Sequence, residues 1–302
     1  MSNVVVIMRS RNSAWVIHQA LASLFSQRFR DFSLVVVDSG STDRTMEMLS
    51  AYPHQLIRIE GASYQPGPVL NAAIAGTEAQ QLVFWNSDAV ALHDGVLGQL
   101  VDALAHADAA YARQIPRPDA HGWVRRDYAA SFPACGAAPS WIALSLVCSA
   151  MRRTAWKAHA FYAEAWASED TEWGVWARNN GLTVTYVPEA LVMHSHNYTL
   201  SQLFGRRFVE GEADAFIYKQ QHGYMQAIRR GVADMVRDWW WCLRRGDIGG
   251  FCAAPGRRLV SQWAYLRGHI LGSDRRNRGD HNATTGQTVV LSRHESQSGA
   301  RP

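Results

Sequence analysis

Short β-branched apolar runs, each followed by a stretch with helical spacing, constrain this chain more than any other feature. Residues 4–8, 33–37, 56–59 and 82–85 are too short and too uniformly apolar to be surface helices, and read as buried strands. Residues 14–25, 42–51, 69–79 and 96–105 carry apolar side chains at helical intervals, as in Val16, Ala20, Leu21 and Leu24. Such alternation with short connections predicts a mostly parallel, Rossmann-like α/β sheet with helices on both faces. Sheets of this kind take ligands beyond the carboxyl ends of their strands. Polar residues gather at those ends here, at 9–12, 38–43 and 86–88.

The remainder is less regular. Residues 115–145 are rich in Pro, Ala and Arg and predict loops or an irregular excursion. Residues 182–187 read as a further strand, closed by Pro188. Beyond Tyr198 the pattern is helical. Met225, Ile228, Val232, Met235, Trp239 and Leu243 form one apolar stripe, and Arg229, Arg230, Arg237, Arg244 and Arg245 occupy much of the rest. Ala254-Pro255-Gly256 is expected to break this segment, with a second short helix through Leu259, Trp263, Leu266 and Ile270. From Ser273 the chain is polar and nearly free of aromatic residues, which predicts disorder. The expected division is 1–215, 216–272 and a tail of 273–302.

Composition excludes some functions. With 302 residues and 47% apolar content the chain can bury a sizeable core. A net charge of +4 gives no reason to expect nucleic acid as a partner. The four cysteines include no CxxC pair, so neither a zinc site nor a redox motif is indicated. The N-terminus lacks the pattern of a signal peptide, and no apolar run reaches the roughly 20 residues of a membrane span. The expectation is a cytoplasmic protein, free or peripheral on the inner face of the membrane.

Four constellations carry candidate chemistry. In Asp38-Ser39-Gly40-Ser41-Thr42-Asp43 a carboxylate at a strand end can bind a ribose or base, or simply cap the next helix. Asn86-Ser87-Asp88 follows a buried strand, where a carboxylate can hold Mg²⁺ or Mn²⁺, or serve a plain turn. Ser168-Glu169-Asp170-Thr171-Glu172-Trp173 sets carboxylates among tryptophans, which suits a general base but also describes a solvated acidic face. His194-Ser195-His196-Asn197-Tyr198 offers imidazoles at i, i+2.

In this order, these stretches resemble the family-2 glycosyltransferases with the GT-A fold, over about residues 3–212. Asn86-Ser87-Asp88 is similar to the family's Asp-x-Asp element, Glu169-Asp170 to the motif that carries its catalytic base, and His194 to a later metal-ligand histidine. The stretches 112–116, 151–156, 169–173 and 194–198 narrow the likeness to the bacterial rhamnosyltransferase-like branch, whose members build cell-surface polysaccharides. At Gly67-Pro68-Val69-Leu70-Asn71 similar proteins often have a basic residue before Leu-Asn.

The resemblance implies an inverting, metal-dependent transfer of a sugar, such as rhamnose or another hexose, from a dTDP- or UDP-linked donor. The acceptor would be a glycan or a lipid-linked molecule. Asp170 is the expected base, with Glu169 second. Arg9, Arg11, Asn12, Asp38, Gly40, Asn71, Ser87, Asp88 and Arg113 are expected around the nucleotide sugar, Asp88 and His194 on the metal, and Trp173 and Arg153 on the acceptor side. The run Asp238-Trp239-Trp240-Trp241, with Arg244-Arg245 after it, suits a helix at a lipid headgroup layer, or one packed on protein. A non-catalytic nucleotide-sugar binder and a sugar nucleotidyltransferase are the alternatives. The second is disfavoured because residues 8–12 contain no glycine for a phosphate loop, and no GxGxxG supports a dehydrogenase.

Overall fold

The computed structural model describes residues 3–219, 222–283 and 285–291. Its elements in chain order are β1 (Val4–Ser10), α1 (Ile17–Phe25), β2 (Phe32–Asp38), α2 (Thr45–Leu49), β3 (Gln55–Arg58), α3 (Pro66–Ala75), β4 (Gln81–Trp85), β5 (Val90–Ala91) and α4 (Val96–Ala103). There follow β6 (Ala109–Ile115), α5 (Gly122–Ser131), β7 (Cys148–Arg152), α6 (Arg153–Ala158), α7 (Glu169–Asn179), β8 (Val184–Met193), α8 (Leu200–Ile217), α9 (Tyr224–Leu243) and α10 (Ile248–Asn277). The sheet runs β3-β2-β1-β4-β7-β6-β8-β5. It is parallel over β3-β2-β1-β4 and between β6 and β8, with β7 and β5 antiparallel to their neighbours.

The apolar runs are unbroken because the sheet is covered on both faces. Val4, Val6, Met8, Leu34, Val36 and Val83 enter one core with α1 and α4. The alternate residues Val5, Ile7, Val35, Val37 and Leu82 enter the other, with α3 and with Trp173 and Ala177 of α7.

Two compact units result. The first comprises residues 1–117, 128–161 and 170–195; the second comprises 118–127, 162–169 and 196–302. The expected boundary near 215 is therefore displaced: α8 belongs with the C-terminal helices. Its backbone meets α10 through glycines. A Cβ on Gly268 would collide with the Phe208 carbonyl, one on Gly272 with Glu212, and one on Gly211 with Tyr265.

Three local expectations are corrected. α10 passes through Pro255 without a break. Proline removes the bond to the Phe251 carbonyl, four residues back, and the Trp239 indole donates to that carbonyl instead (3.1 Å). α10 also runs past Ser273 to Asn277, because buried Arg275 pairs with buried Glu212 of α8, and a helical turn follows at Gln287–Leu291; residue 284 and residues 292–302 of the expected disordered tail lie outside the described residues. The excursion at 115–145 contains a helix, α5.

α9 is reversed in polarity. Met225, Ile228, Val232, Val236, Trp240 and Leu243 are exposed at helical spacing, whereas Asp238 is buried between Arg258 (2.6 Å) and Arg126 (2.9 Å). Asp127 also bonds Arg258 (3.1 Å).

Glycine substitutions test the packing. Gly268→Ala is expected to cost about 1–3 kcal/mol by overpacking. Gly256→Ala meets nothing within 4 Å and should stabilise by up to about 1 kcal/mol, since alanine is the better helix former. Denaturant unfolding of both variants, followed by circular dichroism, checks the opposite signs.

Candidate functional site

The site is assembled at the carboxyl ends of β1, β2, β4, β6 and β8. After β1 the chain turns through Asn12 in the left-handed region (φ 47°), which asparagine tolerates better than most residues. The Asn12 amide N–H donates to Ser41 Oγ (2.9 Å), and its Oδ1 accepts from the Thr42 N–H (2.8 Å). This joins the β1 and β2 exit loops and delays α2 to Thr45, three residues later than the spacing predicts. Asp38 is buried, and its carboxylate accepts from the Gly40 and Ser41 amides (3.1 and 2.9 Å) and the Ser41 hydroxyl. It thus organises the loop in which Gly40 takes φ 84°. Gly61 leaves space for the Arg11 guanidinium: a Cβ there would stand 2.6 Å from Arg11 Nη1.

The β4 exit loop is tied to this one by the Ser13 and Ser87 hydroxyls (2.8 Å) and by a long Arg9 Nη2 to Asn86 Oδ1 contact (3.5 Å). β5 then turns Asp88 toward β8. Val90 pairs with Met193 and Ala91 with Val192, so the ladder runs out at Ala89 opposite His194, and Asp88, one residue earlier, is brought within reach of the imidazole. His194 Nε2 lies 3.6 Å from Asp88 Oδ2, with both side chains largely buried.

His194 reaches that position because β8 resumes after Pro188. The pairing with β6 jumps from Ala112–Val187 to Arg113–Leu191, leaving Pro188, Glu189 and Ala190 out of register. Proline is tolerated at such an irregularity, so the strand expected to end at Val187 runs on to Met193.

The far side of the imidazole is braced. His194 Nδ1 sits 3.1 Å from Gln114 Oε1 and 3.1 Å from the Tyr128 hydroxyl. The Gln114 amide nitrogen is occupied by Ser145 Oγ (2.8 Å), which turns its oxygen toward the ring. In the tautomer with Nδ1 donating to that oxygen, Nε2 would present its lone pair toward Asp88, the arrangement that second-shell partners impose on metal-binding histidines. A carboxylate and an imidazole 3.6 Å apart fit one hard or borderline divalent ion: ligands on adjacent octahedral positions at about 2.1 Å bonds stand about 3 Å apart.

Asp170 opens toward the same end of the sheet. The Asn86 amide donates to Val147 O (2.9 Å), and the next residue back, Leu146, donates to Asp170 Oδ2 (3.4 Å). Asp170 Oδ1 accepts from the Thr171 amide (2.7 Å). Asp170 is half-buried, while Glu169 is buried and belongs to the second compact unit. Ser168, just before them, is held at φ 64°, an unusual conformation for a non-glycine residue. Arg113 is half-buried, with Nε buried and unpartnered among the described residues. Burial pushes the neighbouring Tyr186 phenol up to about 12, with the Arg113 charge pulling the other way.

Three expected site residues have partners within the protein. Arg153 is buried and donates to the Ala79 and Ile74 carbonyls and to Thr77 Oγ1 (2.6 Å). It satisfies carbonyls at and beyond the C-terminus of α3 that have no helical partner. Trp173 is fully buried, its indole donating to His159 O (2.8 Å). Asn71 is consumed by Phe161 and Trp156, at 2.7, 3.0 and 2.9 Å.

Sequence reasoning missed Gln114, Tyr128 and Arg117. Arg117 Nη2 donates to the Asp88 carbonyl (3.2 Å), its guanidinium lies 4.7 Å from the Trp15 ring centroid, and its backbone N–H donates to Ser195 Oγ (2.9 Å). Gln114 lay inside a recognised stretch, but nothing in its surroundings marked it as a histidine partner.

Comparison with known proteins accords with this geometry. Residues 5–153 match the model of glycosyl transferase family 2. The chain belongs to that family. Within the family it is similar to the O-antigen chain rhamnosyltransferase WbaN of Salmonella anatum, at 27% identity over 59% of this chain and 61% of that one. It is also similar to the O-antigen chain rhamnosyltransferase RfbN of Salmonella typhimurium, at 25% identity over 69% and 71%. The matched region thus spans about three fifths of the first relative and seven tenths of the second. Among solved structures, the mannosyltransferase PcManGT of Pyrobaculum calidifontis, in complex with GDP-Man and Mn²⁺, superposes with a TM-score of 0.59 at 15% identity, covering 92% of this chain and 88% of that one. The family's GT-A fold is the fold of this chain.

The structural assignment of Arg153 has a direct test. Arg153→Met leaves buried carbonyls without donors and should cost about 2–4 kcal/mol of stability. Donor binding by the folded variant should stay within about twofold of the parent; a large loss of binding at unchanged stability would return Arg153 to the site.

Proposed function

We propose that this chain transfers a sugar from a nucleoside-diphosphate donor, such as a dTDP- or UDP-linked rhamnose or other hexose, to a glycan or lipid-linked acceptor. The transfer inverts the anomeric centre. The observation that carries this reading is the braced Asp88–His194 pair at the same sheet end as Asp170.

Asp88 and His194 would hold Mg²⁺ or Mn²⁺, a Lewis acid that neutralises charge developing on the departing diphosphate. Arg117 supplies further positive charge at the Asp88 carbonyl, Arg11 brings another beside Gly61, and Arg9 and Arg113 stand at neighbouring strand ends. Asp38, Gly40 and Asn12 shape the loop that receives the nucleoside. Ser87 ties that loop to Asp88. Asp170 takes the proton of the acceptor hydroxyl as its oxygen attacks the anomeric carbon and the bond to the diphosphate breaks. The Thr171 amide holds one of its oxygens and the Leu146 amide approaches the other, which fixes the direction of the carboxylate. Glu169 remains the second candidate for the base.

Among the described residues no helix is long and apolar enough to cross a membrane. α9 nevertheless turns its apolar stripe outward, its inner face being committed to the Asp238 ion pairs. Arg244 lies 4.3 Å from the Trp240 ring and Arg267 5.7 Å from the Trp263 ring. Aromatic rings beside cations match an anionic headgroup layer. The proposed location is the inner face of the cytoplasmic membrane, where a lipid-linked acceptor would be met.

Asp170→Asn should lower kcat by about 10²–10⁴-fold, the usual weight of a general base, with donor affinity within about twofold; near-normal turnover would remove Asp170 from the role. Titration of the donor with Mn²⁺ and again with EDTA should show metal-dependent binding, and Asp88→Ala should abolish that difference. For the membrane, Ile228→Glu with Trp240→Glu should release the protein from anionic vesicles while sparing transfer to a soluble acceptor. Unchanged vesicle capture would sink the docking proposal.

A further inference from the structure

The second compact unit contains a cavity of about 590 Å³ that the proposed transfer does not use. The start of α5, the end of α9 and the first turns of α10 form its walls. Three guanidinium groups line it, those of Arg125, Arg245 and Arg257, with Asp247 the one carboxylate among the lining residues. Asp247 is already engaged, accepting from the Gly250 amide (2.8 Å) to cap α10.

None of the three arginines has a carboxylate partner among the described residues. Arg125 donates to the backbone carbonyls of Ala120 and Pro118, and Arg257 to that of Tyr198 (3.3 Å). Arg257 and Arg258 are instructive neighbours. Asp238 and Asp127 hold the Arg258 guanidinium above its ordinary range, whereas burial without a counterion holds Arg257 below it. A desolvated cation lacking a counterion favours an anionic partner.

The aromatic walls point the same way. Arg257 lies 5.0 Å from the Trp123 ring centroid and Arg245 3.5 Å from that of Trp241, which holds both guanidinium groups against flat surfaces. The indole N–H groups of Trp123 and Trp241 are buried and lack an acceptor among the described residues. An orphaned buried donor is costly, and an oxygen-rich occupant supplies acceptors. Glycine backbone stands close by at positions 122 and 250, where a side chain would collide with Asp247. Two helix N-termini, Gly122 of α5 and Ile248 of α10, add the partial positive charge of their free amides. Exposed Leu243 and Ile248 flank the cavity-lining residues in sequence and offer apolar surface.

We infer that this cavity binds a phosphate or diphosphate group, and that the apolar side chains at 243 and 248 receive a hydrocarbon attached to it. The ligand class is a phosphate-bearing amphiphile. The link to a lipid rests on the membrane reading above, but affinity for the oxyanion itself does not.

The test uses the full chain carrying Asp88→Ala, in EDTA, so that the proposed donor site is silent. Inorganic pyrophosphate and farnesyl diphosphate are titrated by calorimetry. Both should bind, and Arg245→Gln and Arg257→Gln should each weaken binding about tenfold, the scale of one charge-assisted hydrogen bond. Farnesyl diphosphate should bind more tightly than pyrophosphate, and Ile248→Ser should remove that advantage without changing pyrophosphate affinity. Equal affinity for the two probes would overturn the amphiphile and leave a site for a free anion. Pyrophosphate that fails to bind, or binds equally after both arginine substitutions, would overturn the site itself. Arg245 is exposed, so its variant keeps the test valid if Arg257→Gln does not fold. Donor titration with Mn²⁺ in the chain with Asp88 intact separates failure of this inference from failure of the transferase reading.

Discussion

A two-residue strand decides the centre of this molecule. β5 pairs Val90 with Met193 and Ala91 with Val192, and so turns Asp88 and His194 to face each other. The pairing exists only because β8 resumes beyond Pro188, absorbing three residues out of register against β6. A strand that stopped at the proline, as proline usually requires, would leave His194 on a loop with nothing to set its distance from Asp88. The remaining exit loops are fastened to the same end by short polar links: Asn12 to Ser41 and Thr42, Ser13 to Ser87, and Asn86 and Asp170 to consecutive residues before β7. The candidate chemistry thus stands on a rigid sheet edge rather than on a flexible loop.

The second compact unit follows a different logic. In the sheet, apolar residues go inward and polar residues gather at strand ends. In α9 the buried side holds Asp238 between two arginines, and the exposed side holds the large apolar residues. A buried ion-pair cluster is weak evidence of stability, but breaking it by removing one partner is strongly destabilising. The cluster therefore keeps the helix in this rotation, with its apolar stripe outward. The glycine contacts between α8 and α10 are consistent with that arrangement, since close backbone approach leaves little freedom to rotate either helix.

Much of the sheet was legible because parallel strands buried on both faces leave unbroken apolar runs. β1 to β4 and the helices between them were read within a few residues. β6 and β7 were not: Ala-Ala-Tyr-Ala-Arg-Gln-Ile and Cys-Ser-Ala-Met-Arg are poor in β-branched residues, and their pairing is set by neighbours distant in sequence. Asp88, Asp170 and His194 stood out as candidates because carboxylates and imidazoles at strand and helix ends are chemically distinctive, and the fold sets Asp88 and His194 3.6 Å apart. The carbonyl satisfaction and core packing by Arg153, Trp173 and Asn71 were not legible, because the same side chains suit a binding site and a core equally well. Gln114 and Tyr128 were missed because bracing a histidine leaves no trace in local pattern.

By itself the amino-acid sequence determined the class of fold, the strand ends where polar chemistry collects and the family to which the chain belongs, since periodicity and short motifs are local properties. Tertiary structure alone decided which of those polar residues meet. It placed Asp88 beside His194, committed Arg153 to the end of α3 and Asn71 to the loop at Phe161, and turned the apolar face of α9 outward. Each of these outcomes depends on contacts between residues tens of positions apart, and such contacts are fixed by packing and register rather than by the residues' own propensities.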